Sequence, residues 1–124
     1  MAKILIVDDS ALSRRRLRSI LESAAHTVIE AEEGMIAIEK YFLERPDLVL
    51  LDLIMKGMFG IEVLKKLRQM DPQVKVVVAT ADIQTSTQTI VLEEGAMSFV
   101  TKPFVPEQIL TAVNSALEVS DAAD

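Results

Sequence analysis

The sequence predicts an α/β domain built on one five-stranded parallel sheet with helices on both faces. Two observations predict it. Five short, near-continuous apolar runs alternate with amphipathic stretches of helical period, and the connections between them are short. A third observation says where the chemistry lies. Lys3-Ile4-Leu5-Ile6-Val7 stops at Asp8-Asp9, Leu48-Val49-Leu50-Leu51 at Asp52, Val76-Val77-Val78-Ala79 at Thr80, and Phe99-Val100-Thr101 at Lys102. As neighbouring parallel strands, these runs bring their terminal polar residues to one rim, where ligands of open α/β sheets bind.

The elements follow in order. Lys3–Val7 is the first strand. Ser10 is a fair N-cap for a first helix whose Leu17, Ile20, Leu21 and Ala24 recur at helical spacing. Thr27–Ala31 is a short β-branched strand. Met35, Ile38, Tyr41 and Phe42 mark a second helix, ended near Pro46. Leu48–Leu51 is the third strand, and a loop with Gly57 and Gly60 leads to a helix with Val63, Leu67 and Met70 on one face. Asp71-Pro72 breaks it, and the fourth strand is expected over Val74–Ala79. A fourth helix from about Gln84 to Glu94 ends at Gly95, a C′ residue, and Met97–Thr101 is the fifth strand. Pro106 opens a fifth helix with Leu110, Val113 and Leu117 as its apolar stripe. Residues 1–119 read as one domain and 120–124 as a short tail.

Bulk properties narrow the function. A chain of 124 residues is long enough to bury roughly two thirds of its unfolded surface. Half the residues are apolar and only 4% aromatic, so the core is aliphatic. Thirteen basic against nineteen acidic residues give −6, which argues against direct binding to nucleic acid or anionic membranes. The absence of Cys removes disulfides, thiolate metal sites and cysteine nucleophiles. No apolar stretch approaches the roughly 20 residues needed for membrane insertion, and the start is too short for a signal peptide. The expected location is the cytoplasm.

Asp8, Asp9, Asp52, Thr80 and Lys102 together make a site for Mg²⁺ and phosphate. A single Asp after a strand is more often a turn or cap residue. Clustering changes that judgement, because two carboxylates 4 Å apart repel by roughly 4 kcal/mol at an effective dielectric of ~20. Three acids gathered without purpose would be costly.

The acidic pair Asp8-Asp9, Asp52-Leu53-Ile54-Met55, Thr80, Gly95-Ala96 and Lys102-Pro103-Phe104 each follow the right element in the right order. Over nearly its whole length the chain resembles the receiver domain of two-component response regulators. The resemblance implies a flavodoxin-like, doubly wound (βα)5 fold with strand order 2-1-3-4-5. It implies that Asp52 is the phosphoacceptor and that the donor is a histidine kinase or phosphotransfer protein. Mg²⁺ would be held by Asp9 and Asp52, by Asp8 through a water, and by the Ile54 carbonyl. Thr80 and Lys102 would bind phosphoryl oxygens, acting by positioning and charge compensation. Thr80 and Phe99 would be switch residues, although from sequence alone Phe99 reads as an ordinary core aromatic. A cis Lys102-Pro103 bond is also implied. Output would pass through the face formed by the fourth helix, fifth strand and fifth helix to a downstream protein or output domain, with phosphorylation-dependent dimerisation as an option. The chain is either a stand-alone regulator or the receiver half of a longer one.

Two rival classes are weaker. A Mg²⁺-dependent phosphatase using an Asp nucleophile commonly has a second carboxylate two residues later. Ile54 stands there and can move no proton, so slow autodephosphorylation is expected rather than enzymatic turnover. Asp82 could still order or repel the attacking water. A flavin carrier would need a hydroxyl- and glycine-rich loop where this chain has Asp8-Asp9. Thr85, Ser86, Thr87 and Thr89 are poor helix formers, so the fourth helix is expected to be the least stable. Arg14, Arg15, Arg16 and Arg18 read either as a solvated helix face or as a docking patch for the phosphodonor. His26, the single histidine, reads as a turn residue. Lys56 stands where the family commonly has Pro.

Overall fold

Aliphatic β-branched runs make the strands, and their neighbours along the chain make the helices that cover them. The computed structural model describes residues 1–55, 57–81 and 84–119. Its elements are β1 (Lys3–Val7), α1 (Ala11–Ser23), β2 (Thr27–Ala31), α2 (Gly34–Glu44), β3 (Leu48–Leu51), α3 (Gly60–Met70), β4 (Val76–Thr80), α4 (Thr85–Glu93), β5 (Ser98–Thr101) and α5 (Pro106–Leu117). All the strand pairs are parallel, in the order β2-β1-β3-β4-β5. This is the doubly wound, flavodoxin-like arrangement.

Successive strand residues point to opposite faces and so feed two separate cores. Ile4 and Ile6 pack with Leu48, Leu50 and Val77 beneath α1 and α5, where they meet Leu17, Leu21, Ile109 and Val113. Leu5 and Val7 pack with Val49, Leu51, Val76 and Val78 beneath α2, α3 and α4, against Ala37, Val63, Leu67 and Val91. Burial on both faces explains why the strands read as unbroken apolar runs.

Element ends and helix faces differ from the sequence expectation in instructive ways. Val74 lies before β4, because Asp71 first forms a turn: its carbonyl accepts from Val74 N–H at 3.0 Å and its Oδ1 from Gln73 N–H at 3.0 Å. Thr80 in turn belongs to the strand. Met97 similarly precedes β5. In α2 the buried residues are Gly34, Ala37 and Tyr41, while Met35 and Phe42 are exposed. The small pair permits close approach to α3; a Cβ at Gly34 would lie 2.7 Å from Val63 Cγ2. In α3, Leu64 is buried and Met70 is largely exposed. In α5 the stripe is Ile109, Val113 and Ala116, with Leu110 and Leu117 only partly buried beside it. Ser10 caps α1 by accepting from Ser13 N–H at 3.2 Å. Gly95 has φ +103 after α4, as a C′ residue should.

Candidate functional site

Parallel pairing continues one residue beyond three strands and anchors the polar residue found there. Asp8 N–H donates to the Ala31 carbonyl at 3.1 Å, Asp52 N–H to Val7 at 2.9 Å, and Lys102 N–H to Thr80 at 3.0 Å. Thr80 is itself the last residue of β4 and pairs with Thr101. The backbones of all four are therefore held by the sheet, at the carboxyl ends of its strands. One carboxylate oxygen each from Asp8, Asp9 and Asp52 lies within 4.8 Å of the other two. Lys102 Nζ is 3.0 Å from both Asp8 Oδ2 and Asp52 Oδ2. Asp8, Asp52 and Thr80 are buried and Asp9 is exposed, so the cluster has a closed floor and an open mouth.

The charges do not balance: three carboxylates face one ammonium. Burial raises the Asp8 pKa above its ordinary value, against the Ser10 N–H, which donates to Asp8 Oδ1 at 2.9 Å, and against Lys102. For Lys102, burial pulls the ammonium pKa down, but the adjacent carboxylates of Asp52 and Asp8 outweigh that and leave it raised. The contact from Lys102 to Asp8 Oδ2 is an ion pair without hydrogen-bond geometry, so that buried oxygen makes no hydrogen bond. An acid of this kind suits a divalent cation: oxygen donors only, surplus negative charge and access from solvent. Lys102 Nζ also sits 5.8 Å from the centre of the Phe104 ring.

Other residues of interest fall around this centre. Ile54 N–H donates to Asp52 Oδ1 at 3.3 Å, and its side chain is 60% exposed, placing hydrocarbon beside the acid. The Lys102-Pro103 bond is cis. Phe99 is half-buried on β5 and packs against the α2–α3–α4 core. Lys56 and Asp82 lie outside the described residues. His26 follows α1 and accepts from Ala2 N–H at 3.1 Å through Nδ1.

Two features of the site escaped the sequence reading. Gly60, the first residue of α3, donates its N–H to Leu53 at 2.8 Å, and a Cβ there would lie 2.3 Å from the Asp52 carbonyl oxygen. Glycine is required by that close approach, and no local pattern announces it. Three of the four arginines of α1, Arg14, Arg16 and Arg18, are also bound internally rather than free. Arg14 and Arg18 pair with Glu30 of β2, Arg14 also donates to the Asp8 carbonyl, and Arg16 donates to the Phe104 carbonyl. A run of like charges on a helix gave no hint of these acceptors.

Similarity to known proteins agrees with this geometry. Residues 4–114 match the family model described as the response regulator receiver domain. The chain is 40% identical over 116 residues to "Chemotaxis protein CheY" of Bacillus subtilis, covering 93% of this chain and 97% of that protein. It is 37% identical to the protein of the same name from Thermotoga maritima, covering 90% and 94%. The crystal structure of a CheY-like receiver domain protein from Methanospirillum hungatei superposes with a TM-score of 0.90 at 27% identity, covering 95% of this chain and 94% of that one. An acidic pocket at the sheet's switch point and near-full-length similarity lead to one conclusion: the chain belongs to the response regulator receiver domains, phosphoacceptors of phosphorylation-based signalling, and is close to the single-domain CheY proteins.

Proposed function

We propose that this chain is a phosphorylation-dependent switch that accepts a phosphoryl group on Asp52. The observation that carries the reading is Lys102 Nζ standing 3.0 Å from Asp52 Oδ2 within a cluster of three carboxylates. The donor is a phosphohistidine of a histidine kinase or phosphotransfer protein. An Asp52 carboxylate oxygen bonds to phosphorus while the P–N bond breaks and its electron pair returns to the donor imidazole. The products are an aspartyl phosphate and a free histidine. Lys102 follows the transferred charge onto a phosphoryl oxygen, and the Thr80 hydroxyl donates to another. Asp9, Asp52 and the Ile54 carbonyl would hold Mg²⁺ directly, and Asp8 would act on it through a water. When bound, the cation supplies charge neutralisation between the acid and the incoming phosphoryl group.

The protein acts as a signalling phosphoacceptor rather than a turnover enzyme. Ile54 offers no proton-transferring group where a phosphatase needs one, so autodephosphorylation is slow. Output runs through the α4-β5-α5 face. A groove of about 560 Å³ between β5 and α5 is lined by Phe99, Thr101, Gln108 and Thr111 among others, and Thr80 and Phe99 would be the residues that change on phosphorylation. The partners are a cognate kinase or phosphotransfer protein and a downstream protein or output domain, with dimerisation on phosphorylation as a further mode. The names of the chemotaxis relatives support a regulator of that kind, stand-alone or the receiver half of a longer protein, acting in the cytoplasm. Among the described residues no helix is long and apolar enough to cross a membrane. The net charge of −6 disfavours direct contact with nucleic acid.

The test is phosphorylation by acetyl phosphate in the presence of Mg²⁺, comparing the wild-type chain with Asp52→Asn. The wild type is expected to label and the variant not to. Undiminished labelling of the variant would move the acceptor elsewhere.

A further inference from the structure

We propose that Arg14 and Arg16 are positioning residues for the phosphoryl-transfer site, one for its metal-binding side and one for its lysine side. The inference rests on the reading of Asp52 given above and assigns a role to residues that reading does not use. Arg14 Nη1 donates to the Asp8 main-chain carbonyl at 2.7 Å, and its Nε donates to Glu30 Oε1 at 2.9 Å. Its side chain is only 15% exposed. The main chain of Asp8 is thus held at both ends, its N–H by Ala31 and its carbonyl by a guanidinium. That carbonyl belongs to the peptide joining Asp8 to Asp9, so Arg14 fixes the plane from which both acids project. A charge-assisted bond is well suited to the task.

Arg16 does the equivalent for the other loop. Its Nη2 donates at 3.0 Å to the carbonyl of Phe104, two residues beyond Lys102 and eighty-eight beyond Arg16 itself. Residues two apart on an α-helix point in nearly opposite directions, about 200° around the axis. Arg14 and Arg16 therefore reach away from each other to the two loops that bring opposite charges together. Glu30 steadies the first arm, since its second oxygen accepts from Arg18. Arg15 is exposed and makes no hydrogen bond or ion pair among the described residues.

The experiment compares Arg14→Met, Arg16→Met and Arg15→Met by Mg²⁺ titration calorimetry, by the rate of labelling with acetyl phosphate at saturating Mg²⁺, and by melting temperature. Arg14→Met is expected to weaken Mg²⁺ binding by about 10-fold or more, the usual loss when a supporting partner of a metal ligand is removed. Arg14→Lys, which retains one donor for the Asp8 carbonyl, recovers part of that loss. Arg16→Met is expected to bind Mg²⁺ as Arg15→Met does but to label about 10- to 100-fold more slowly, because Lys102 is misplaced. A merely structural role would lower the melting temperature without splitting the two readouts. Equal losses in both readouts, or values no different from Arg15→Met, would overturn the proposal. A wild-type chain that binds Mg²⁺ but takes no phosphate would remove the Asp52 reading instead, while the Mg²⁺ titration still decides the role of Arg14.

Discussion

The helices on either side of β5 are built to different standards. α5 buries Ile109, Val113 and Ala116, opens with Pro106 in its first turn and has Glu107 beside its positive end. α4 buries only Val91, and its first residues are Thr85, Ser86 and Thr87, with no acidic residue in the first turn; neither helix has a side-chain cap. Neither burial nor propensity holds α4 strongly. It follows closely on Thr80, whose carbonyl is tied to Lys102, and α5 follows as closely on Lys102, so both helices adjoin the charged pocket and differ in how firmly they are held. The contrast suits a switch: a small change of charge at the rim can shift an element whose two states differ little in free energy.

The most severe way to test this contrast is the same truncation in both helices. Ile109→Ala, at a site 1% exposed, is expected to cost about 2–5 kcal/mol in urea unfolding. Ile90→Ala, at a site 43% exposed, should cost less than about 1 kcal/mol. Similar costs would show that α4 is as firmly packed as α5. Gly60→Ala probes the rigid pocket itself. The added methyl would collide with the Asp52 backbone, and a loss of about 1–3 kcal/mol is expected, together with weaker Mg²⁺ binding in calorimetry.

Asp8 sharpens the comparison from the opposite direction. Its pKa is raised on folding, so the folded state binds the proton more tightly than the unfolded state does. Its ionisation therefore costs stability, a cost absent at acid pH and fully present once pH has risen through the folded pKa. Asp8→Asn is expected to raise the neutral-pH melting temperature by a few degrees without Mg²⁺, and to lessen the stabilisation that Mg²⁺ gives the wild type. An unchanged response to Mg²⁺ would remove Asp8 from the metal site. The smallest expected effect is at Thr89, an exposed α4 position. Thr89→Ala should stabilise the chain by roughly 0.5 kcal/mol and slow amide exchange across α4, which in the wild type is expected to be faster than across α5. Equal protection of the two helices in the wild type would contradict the contrast.

The parallel sheet and the gathering of acids at one rim were readable because both depend on where apolar runs stop, a property of the linear chain, whereas the strand order came from the family resemblance. Asp8, Asp52 and Lys102 each follow a strand, and the sheet does the rest. Helix faces were harder. In α2 several apolar residues compete for the inward side, and the small pair Gly34 and Ala37 wins because close approach to α3 outweighs side-chain size. The same ambiguity exchanged Leu110 and Leu117 for Ile109 and Ala116 in α5. Arg14, Arg16 and Gly60 were invisible as parts of the site. Their partners are main-chain carbonyls, or in the case of Gly60 the space beside one, and backbone acceptors leave no mark on residue type.

The most direct measurement locates the phosphate. After incubation with Mg²⁺ and acetyl phosphate, the acyl phosphate is trapped by borohydride reduction and the modified residue is identified by peptide mass spectrometry. The account predicts modification at Asp52 alone, dependent on Mg²⁺. Modification at Asp8 or Asp9 with Asp52 untouched, or a wild-type chain that takes no label, would contradict it.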